Sequence, residues 1–451
     1  MPVSLPWSDK AKSPILTLLS LPGIFPLFLL VSRWLLRFTT PFLGFESKLL
    51  AFYTKLFQLE QRNLNNIVEF QSVSGKTRQQ FLEQIQKSYR HQIDSTASSH
   101  QKKVINRQLN QIEQEQRTRI AYSYPYRLYL EMTRNCNLRC QICCQSLVEI
   151  PRPEIAPEII DKVKLLIPYC ELVAVYGFGE SLTAPHFFDY LQQLPFSQQQ
   201  TVLLTTNGIL VTPENSRRIL ESPINMFEIS LDATNEDTYE FIRGVRAWAK
   251  IVDNIRYFNK LKQEISPNKP KLRLCFVAMR KNIEQLPDFV RLAKELNAEF
   301  VDVGYMNVFR EELREQSLFF HQELAIQKFT EAQQVADQLQ VTLNLPRYFN
   351  HAPIEDSFKH DSNCYEPWQF VQVCCDGTVL PCWNTSRPLG DLNHHNFDEI
   401  WNNQAFQEFR QNLNSREELY RCRYCLDYRF RNIHNVNHHI LVLEPEAEKT
   451  R

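Results

Sequence analysis

The segment Thr133-Arg-Asn-Cys136-Asn-Leu-Arg-Cys140-Gln-Ile-Cys143 sets three cysteines at the spacing C-x3-C-x2-C, close enough for one short loop to wrap a metal centre. A closed structural zinc site or an ordinary iron–sulfur electron carrier takes four protein ligands, so three thiolates leave one metal position open. Cys144 follows directly. A residue next to Cys143 points elsewhere and would need a distorted loop to share the centre, so it reads as a neighbour. A zinc knuckle or three chance core cysteines are the plainer alternatives.

The chain around this loop alternates strands with helices. Strand patterns cover 126–132, 172–176, 201–206, 226–231, 272–279 and 300–305, and helical patterns cover 157–167, 216–221, 249–261 and 283–296. Six βα units predict an α/β fold, a partial (β/α)6 barrel, whose chemistry gathers at the C-terminal ends of the strands. The motifs fall there. Tyr176-Gly177-Phe178-Gly179-Glu180 follows the second strand, Thr205-Thr206-Asn207-Gly208 closes the third, and Ile229-Ser230-Leu231-Asp232 closes the fourth. Tyr239-Glu240-Phe241-Ile242-Arg243-Gly244 comes next.

The cysteine loop, with apolar Ile142 before its last cysteine, resembles the radical S-adenosylmethionine (radical SAM) superfamily. That resemblance implies a [4Fe–4S] cluster on Cys136, Cys140 and Cys143, whose fourth iron binds SAM. The reduced cluster then cleaves the sulfonium to a 5′-deoxyadenosyl radical, while the protein binds, orients and excludes water. It also implies that Gly177, Gly179 and Glu180 receive the methionyl ammonium, where glycines allow close backbone approach and a carboxylate complements a cation. Phe178 stands where the family more often has glycine. Ser230, Asp232, Asn207 and Arg243 are carried over as contacts to the nucleoside or the methionyl carboxylate. Turn or helix-cap roles for Asn207 and Asp232, and an ion pair for Arg243, fit the residues equally well. Val277 and Met279 stand where adenine could be touched, but core packing explains them too. Cys170 and Cys275 are expected as small buried hydrophobes.

Downstream, a helix over 322–339 and a strand over 341–345 lead to Cys364, Asp376-Gly377, Cys382 and a final Cys422-x-x-Cys425. With Leu389-Gly390-Asp391-Leu392 and Phe397-Asp398-Glu399-Ile400-Trp401 between them, these resemble a shortened SPASM-type auxiliary-cluster domain. The resemblance implies one [4Fe–4S] cluster on Cys364, Cys382, Cys422 and Cys425. Read from the cysteines alone, a zinc ribbon fits as well. No cysteine follows Cys425, so a second auxiliary cluster is not expected. Adjacent Cys374 and Cys375 could substitute singly but not together.

Composition narrows the remaining choices. The twelve cysteines are grouped at short spacings instead of forming a disulfide framework, which suits ligands in a reducing cytoplasm. A formal net charge of zero argues against broad nucleic-acid binding. Residues 13–32 carry no charge, but Pro22-Gly23 and Pro26 break the stretch, and basic residues flank both sides. Together with an amphipathic pattern over 47–61, this predicts a segment lying on the cytoplasmic face of a membrane, with a core-facing helix as the bland reading. No small-residue cleavage site marks a secretory signal. Residues 62–120 are polar and Gln-rich, with Phe81, Ile85, Tyr89 and Ile93 at helical spacing, and predict a helical arm before the core.

The expected organisation is therefore a hydrophobic segment (1–61), a helical arm (62–120), the radical SAM core (121–310), a connecting helix and strand (311–360), a small cysteine-ligated α+β domain (361–430) and a tail (431–451). The auxiliary domain implies a peptide or protein substrate and a flavodoxin- or ferredoxin-like electron donor. Trp383 after Cys382, where sulfatase-maturing members carry an acid, disfavours formylglycine formation. A lipid or isoprenoid substrate at a membrane, or a non-catalytic iron–sulfur scaffold, are the alternatives.

Overall fold

The structure, a computed structural model, describes residues 74–96, 98–146, 151–346, 364–383, 385, 387–413, 415 and 422. The segments 1–61 and 431–451 and Cys425 lie outside the described residues. Among the described residues no helix is long and apolar enough to cross a membrane. Residues from Gln84 onward form one compact unit; the unit before it is described only from Ser74.

Seven parallel strands carry the core: β1 (Arg127–Leu130), β2 (Leu172–Ala174), β3 (Thr201–Thr206), β4 (Met226–Ser230), β5 (Lys271–Ala278), β6 (Phe300–Tyr305) and β7 (Thr342–Asn344). They pair in chain order, and the sheet stays open at β7. The six expected strands are present, and β7 extends the run by pairing with β6. Alternation on β5 shows how the sheet is layered: Leu272, Leu274, Phe276 and Ala278 are buried in the main core, while Arg273, Cys275 and Val277 face the other way. On that opposite face Glu228 bonds Thr205 Oγ1 (2.7 Å) and pairs with Arg273 (2.5 Å), which also reaches Asp302 (3.0 Å).

The C-terminal strands do not form a separate sheet. β8 (Phe370–Val373) runs parallel to β1 on the edge away from β2, and β9 (Thr378–Leu380) and β10 (Gly390–Asp391) continue antiparallel from it. Hydrogen bonds from Tyr126 N to Gln369 O (3.1 Å) and from Glu131 N to Val373 O (2.9 Å) weld the two halves at β1. The turn between β8 and β9 thereby stands beside the end of β1, next to the cysteine loop.

Two N-terminal helices, α1 (Ser74–Ser95) and α2 (Ser99–Gln116), occupy the stretch that reads as a helical arm. From Gln84 onward these helices bond to the segment that leads into β1. Asn106 exchanges two hydrogen bonds with the Tyr124 backbone (2.7 and 2.9 Å), and buried Glu113 accepts from Gln86 Nε2 (2.9 Å), Tyr122 N (2.6 Å) and Ser123 Oγ (2.6 Å). The polar residues of this Gln-rich stretch thus include a buried hydrogen-bond network, which satisfies its polar groups internally.

The helices over the core follow their caps. α3 (Pro157–Lys164), α4 (Phe187–Gln193) and α5 (Pro213–Glu221) precede α6 (Glu236–Arg243), α7 (Trp248–Ile265), α8 (Leu286–Glu295) and α9 (Gln322–Leu339). Thr212 caps α5 by accepting from Asn215 N, and Pro213 starts its first turn. Asn235 caps α6, and Gly244 ends it at φ +76°, a conformation that favours glycine.

Candidate active site

The cysteine loop is held by apolar packing on one side and by backbone bonds on the other. Ile142 packs onto a small cluster of Ile242, Met279, Met306, Val308 and Leu313, which explains the apolar residue before Cys143. Gln141 N donates to Ile242 O (2.9 Å), docking the loop on the C-terminus of α6. Cys143 N bonds Cys140 O (3.2 Å), so the loop turns back on itself. Burial pushes the Cys136 thiol up to about 11, with the Glu180 carboxylate and the thiols of Cys140 and Cys143 adding to the shift. Cys136 therefore lies close to the other two sequence-predicted thiols and to the glutamate. A hydrogen bond with Cys143, then burial, pushes the Cys144 thiol well up, in keeping with its reading as a neighbour.

The segment after β2 is built against this loop. Glu180 N donates to Asn135 O (2.8 Å), and a Cβ on Gly179 would stand 2.1 Å from Thr133 O, so only glycine allows the approach. The Glu180 carboxylate is buried and accepts from Thr206 Oγ1 (2.8 Å), Asn207 N (2.8 Å) and Leu182 N (3.3 Å). Burial raises its pKa against those donors. Asn207 in turn donates through Nδ2 to Asn137 Oδ1 (2.7 Å) inside the cysteine loop. The ends of β1, β2 and β3 therefore meet through side chains.

Asp232 and Arg243 also come together. Asp232, at φ +58° and fully buried, accepts from Val277 N (2.7 Å) and pairs with the Arg243 guanidinium. Arg243 Nη1 lies 3.7 Å from Cys140 Sγ. Ser230, half-buried, ends β4 in register with Cys275. Met279 is fully buried in the apolar cluster beneath the loop, and Cys170 is buried in the main core. Cys275 is only partly buried and shares the site-facing side of β5.

The C-terminal unit contributes directly. Trp383, next to Cys382, stacks on Phe178 (centroids 5.9 Å apart, 23° between planes) and contacts Tyr129 (5.5 Å) and Tyr176 (5.7 Å). Cys364 and Cys422 pack against the main core. Cys374 and Cys375 are buried in the β8–β9 turn, and Cys375 Sγ donates to the Glu131 carboxylate (3.2 Å). The sequence assigns no role to Glu131, nor to Asn137 and Tyr239 within their motifs. No motif marks a buried acid at a strand end, and Tyr239 reads as one more aromatic on a helix.

The site suits a thiolate-held cluster with one open position. Arg243 Nε and Tyr239 Oη are buried without a hydrogen-bond partner among the described residues, and both groups feel Cys140 electrostatically. Orphaned donors near a candidate ligand thiol are what an added group with sulfur acceptors would satisfy. No three or more His, Cys, Asp or Glu among the described residues converge tightly enough to grip a single ion. Ligands of a four-iron cluster need not do so, because each thiolate stands on a separate iron.

Comparison with known proteins agrees with the geometry. Residues 130–293 match the Radical SAM superfamily, and residues 364–426 match SPASM, an iron–sulfur cluster-binding domain. The chain is 26% identical over 180 residues to the tungsten-containing aldehyde ferredoxin oxidoreductase cofactor-modifying protein of Pyrococcus furiosus, covering 38% of this chain and 49%, about half, of that protein. It is 22% identical over 315 residues to the PqqA peptide cyclase of Bradyrhizobium diazoefficiens, covering 66% of this chain and 79% of the cyclase. In fold it is similar to Streptococcus suis SuiB bound to S-adenosylmethionine, with a TM-score of 0.51 and 16% identity over 70% of this chain and 74% of that one. With the cysteine loop, the Gly177–Glu180 segment and the auxiliary cysteines falling inside these matches, the chain belongs to the radical SAM superfamily of enzymes, carries a SPASM-type domain, and has [4Fe–4S] clusters and S-adenosylmethionine as its implied cofactors.

Proposed function

We propose that this enzyme cleaves SAM reductively and abstracts hydrogen from a peptide or protein side chain. Cys136, Cys140 and Cys143 would hold the radical-generating cluster, and Cys364, Cys382, Cys422 and Cys425 the auxiliary one. When bound there, the first cluster would supply the electron for reductive SAM cleavage, with a flavodoxin- or ferredoxin-like donor in the cytoplasm as its reductant. The chain's own groups do the rest: Gly177, Gly179 and Glu180 receive the methionyl ammonium, Asn207 and Ser230 face the nucleoside, and the Asp232–Arg243 pair braces the cysteine loop.

The observation that carries the peptide reading is the stack of Trp383 on Phe178. It puts the residue after an auxiliary cysteine against the segment expected to hold SAM, so a substrate seated on the C-terminal unit lies within reach of the radical. The relative named PqqA peptide cyclase, matched over 66% of this chain, points the same way.

The test uses the full chain, reconstituted anaerobically, with reductant and SAM. Formation of 5′-deoxyadenosine above a Cys140→Ala control is expected, and none despite an intact cluster would favour the scaffold alternative. Uniformly deuterated host extract, split into polypeptide and lipid fractions, then identifies the substrate class. Deuterium entering 5′-deoxyadenosine from the polypeptide fraction supports the proposal; entry from the lipid fraction alone would overturn it.

A further inference from the structure

Glu131 sits one residue beyond β1, and its side chain is wholly buried where three separate segments meet. Its Oε1 accepts from Phe178 N at 2.9 Å. Its Oε2 accepts from Arg134 Nε (3.1 Å), Cys375 N (3.2 Å) and Cys375 Sγ (3.2 Å). Arg134 continues outward to Asp376 at 2.7 Å. Gly177 makes room for this carboxylate, since a Cβ there would stand 2.4 Å from Glu131 Cγ. A buried acid with this many donors stays in place only while all of them are paired.

We infer that Glu131 is a positioning residue that fixes the Gly177–Phe178 peptide for SAM and ties it to the cysteine loop and to the β8–β9 turn. The peptide unit is planar and trans, so an N–H held toward Glu131 turns the Gly177 carbonyl the opposite way. That carbonyl then faces away from the acid, free to accept from the methionyl ammonium. The same carboxylate grips Arg134 of the cysteine loop and Cys375 of the C-terminal unit. A shift of either segment therefore reaches the carbonyl through one side chain. The inference rests on the reading that 177–180 receives the ammonium, and the test separates the two.

Glu131→Gln keeps the shape but gives the side chain an amide NH2 that must face at least one of the existing donors. The variant, wild type and Glu180→Gln are reconstituted anaerobically, and the dissociation constant for labelled SAM is measured beside iron content. Hydrogen exchange at the Phe178 amide is followed without SAM. The expected result is a dissociation constant for Glu131→Gln raised about tenfold or more, with iron content unchanged and faster exchange at Phe178; loss of a charge-assisted hydrogen bond carries an effect of that order. Asp376→Asn, which weakens the outer contact to Arg134 and the turn bonds to Thr378, should fall between wild type and Glu131→Gln. If Glu180→Gln weakens binding and Glu131→Gln and Asp376→Asn do not, the role of Glu131 is overturned while the loop assignment stands. If neither glutamate variant weakens binding, the loop assignment itself fails.

Discussion

Arg243 Nη1 lies 3.7 Å from the sulfur of Cys140, and the same guanidinium is paired with fully buried Asp232. The arginine comes from the last residue of α6 and the cysteine from the loop after β1, more than a hundred residues earlier. The relationship places a cation beside the Cys140 thiol, with a buried carboxylate behind it. A donor to a cluster sulfur is one of the levers that set reduction potential.

Replacing the pair together, Arg243→Gln with Asp232→Asn, removes that donor without leaving a buried charge alone. With Cys140 as ligand, the N-terminal cluster should become harder to reduce. Losing one charge-assisted bond of about 1.5 kcal/mol corresponds to roughly 60 mV for a one-electron couple. Spectroelectrochemical titration under anaerobic conditions measures it, and an unchanged midpoint would show that the contact does not act on the cluster.

Gly179→Ala should be costly for a steric reason alone. The added methyl would meet Thr133 O at 2.1 Å and Asn135 O at 2.7 Å, and both are backbone atoms of the cysteine loop. Displacing them costs about 1–3 kcal/mol of stability and should abolish reductive SAM cleavage. Thermal melting of the reconstituted protein and 5′-deoxyadenosine assay report the two effects. Full activity with an unchanged melting temperature would mean that the two loops do not abut.

Trp383→Ala is expected to spare SAM and impair substrate. The indole is 39% exposed, so stability should fall only by about 1 kcal/mol, the order of an aromatic pair. Uncoupled SAM cleavage should continue, and KM for the proposed polypeptide substrate should rise. A variant that loses SAM affinity instead would place Trp383 on the cofactor side.

Glu113 tests the buried polar network of the N-terminal helices. Burial pushes its carboxyl above the usual carboxylate range, opposed by Ser123, the backbone of Tyr122 and Gln86. A raised acid contributes full stability below its unfolded pKa and loses it as pH rises through the folded value. Wild type should therefore lose stability with rising pH across that window relative to Glu113→Gln. Glu113→Ala should cost about 3 kcal/mol below that window, by leaving the N–H groups of Tyr122 and Ser123 without the carboxyl, and less above it. Urea unfolding at several pH values checks both.

Local chemistry made much of this molecule readable from residue order alone. The six strands are legible because buried strands and capped helices leave period-two and period-3.6 patterns that tertiary contacts reinforce. The cysteine loop and the Gly177–Glu180 segment are legible because ligand spacing and backbone approach are set within a few residues.

What sequence could not show is pairing at long range. Whether β8 would join the sheet beside β1, and so bring Cys375 to Glu131 and Trp383 to Phe178, depends on which strand edge remains unpaired once the core has formed. Likewise the polar face of α2 looks solvated in any hydropathy reading, because nothing local tells a group bonded to water from one bonded to a distant backbone. The chain order determined the motifs and their chemistry; the closing of β8 onto β1 decided which of them touch.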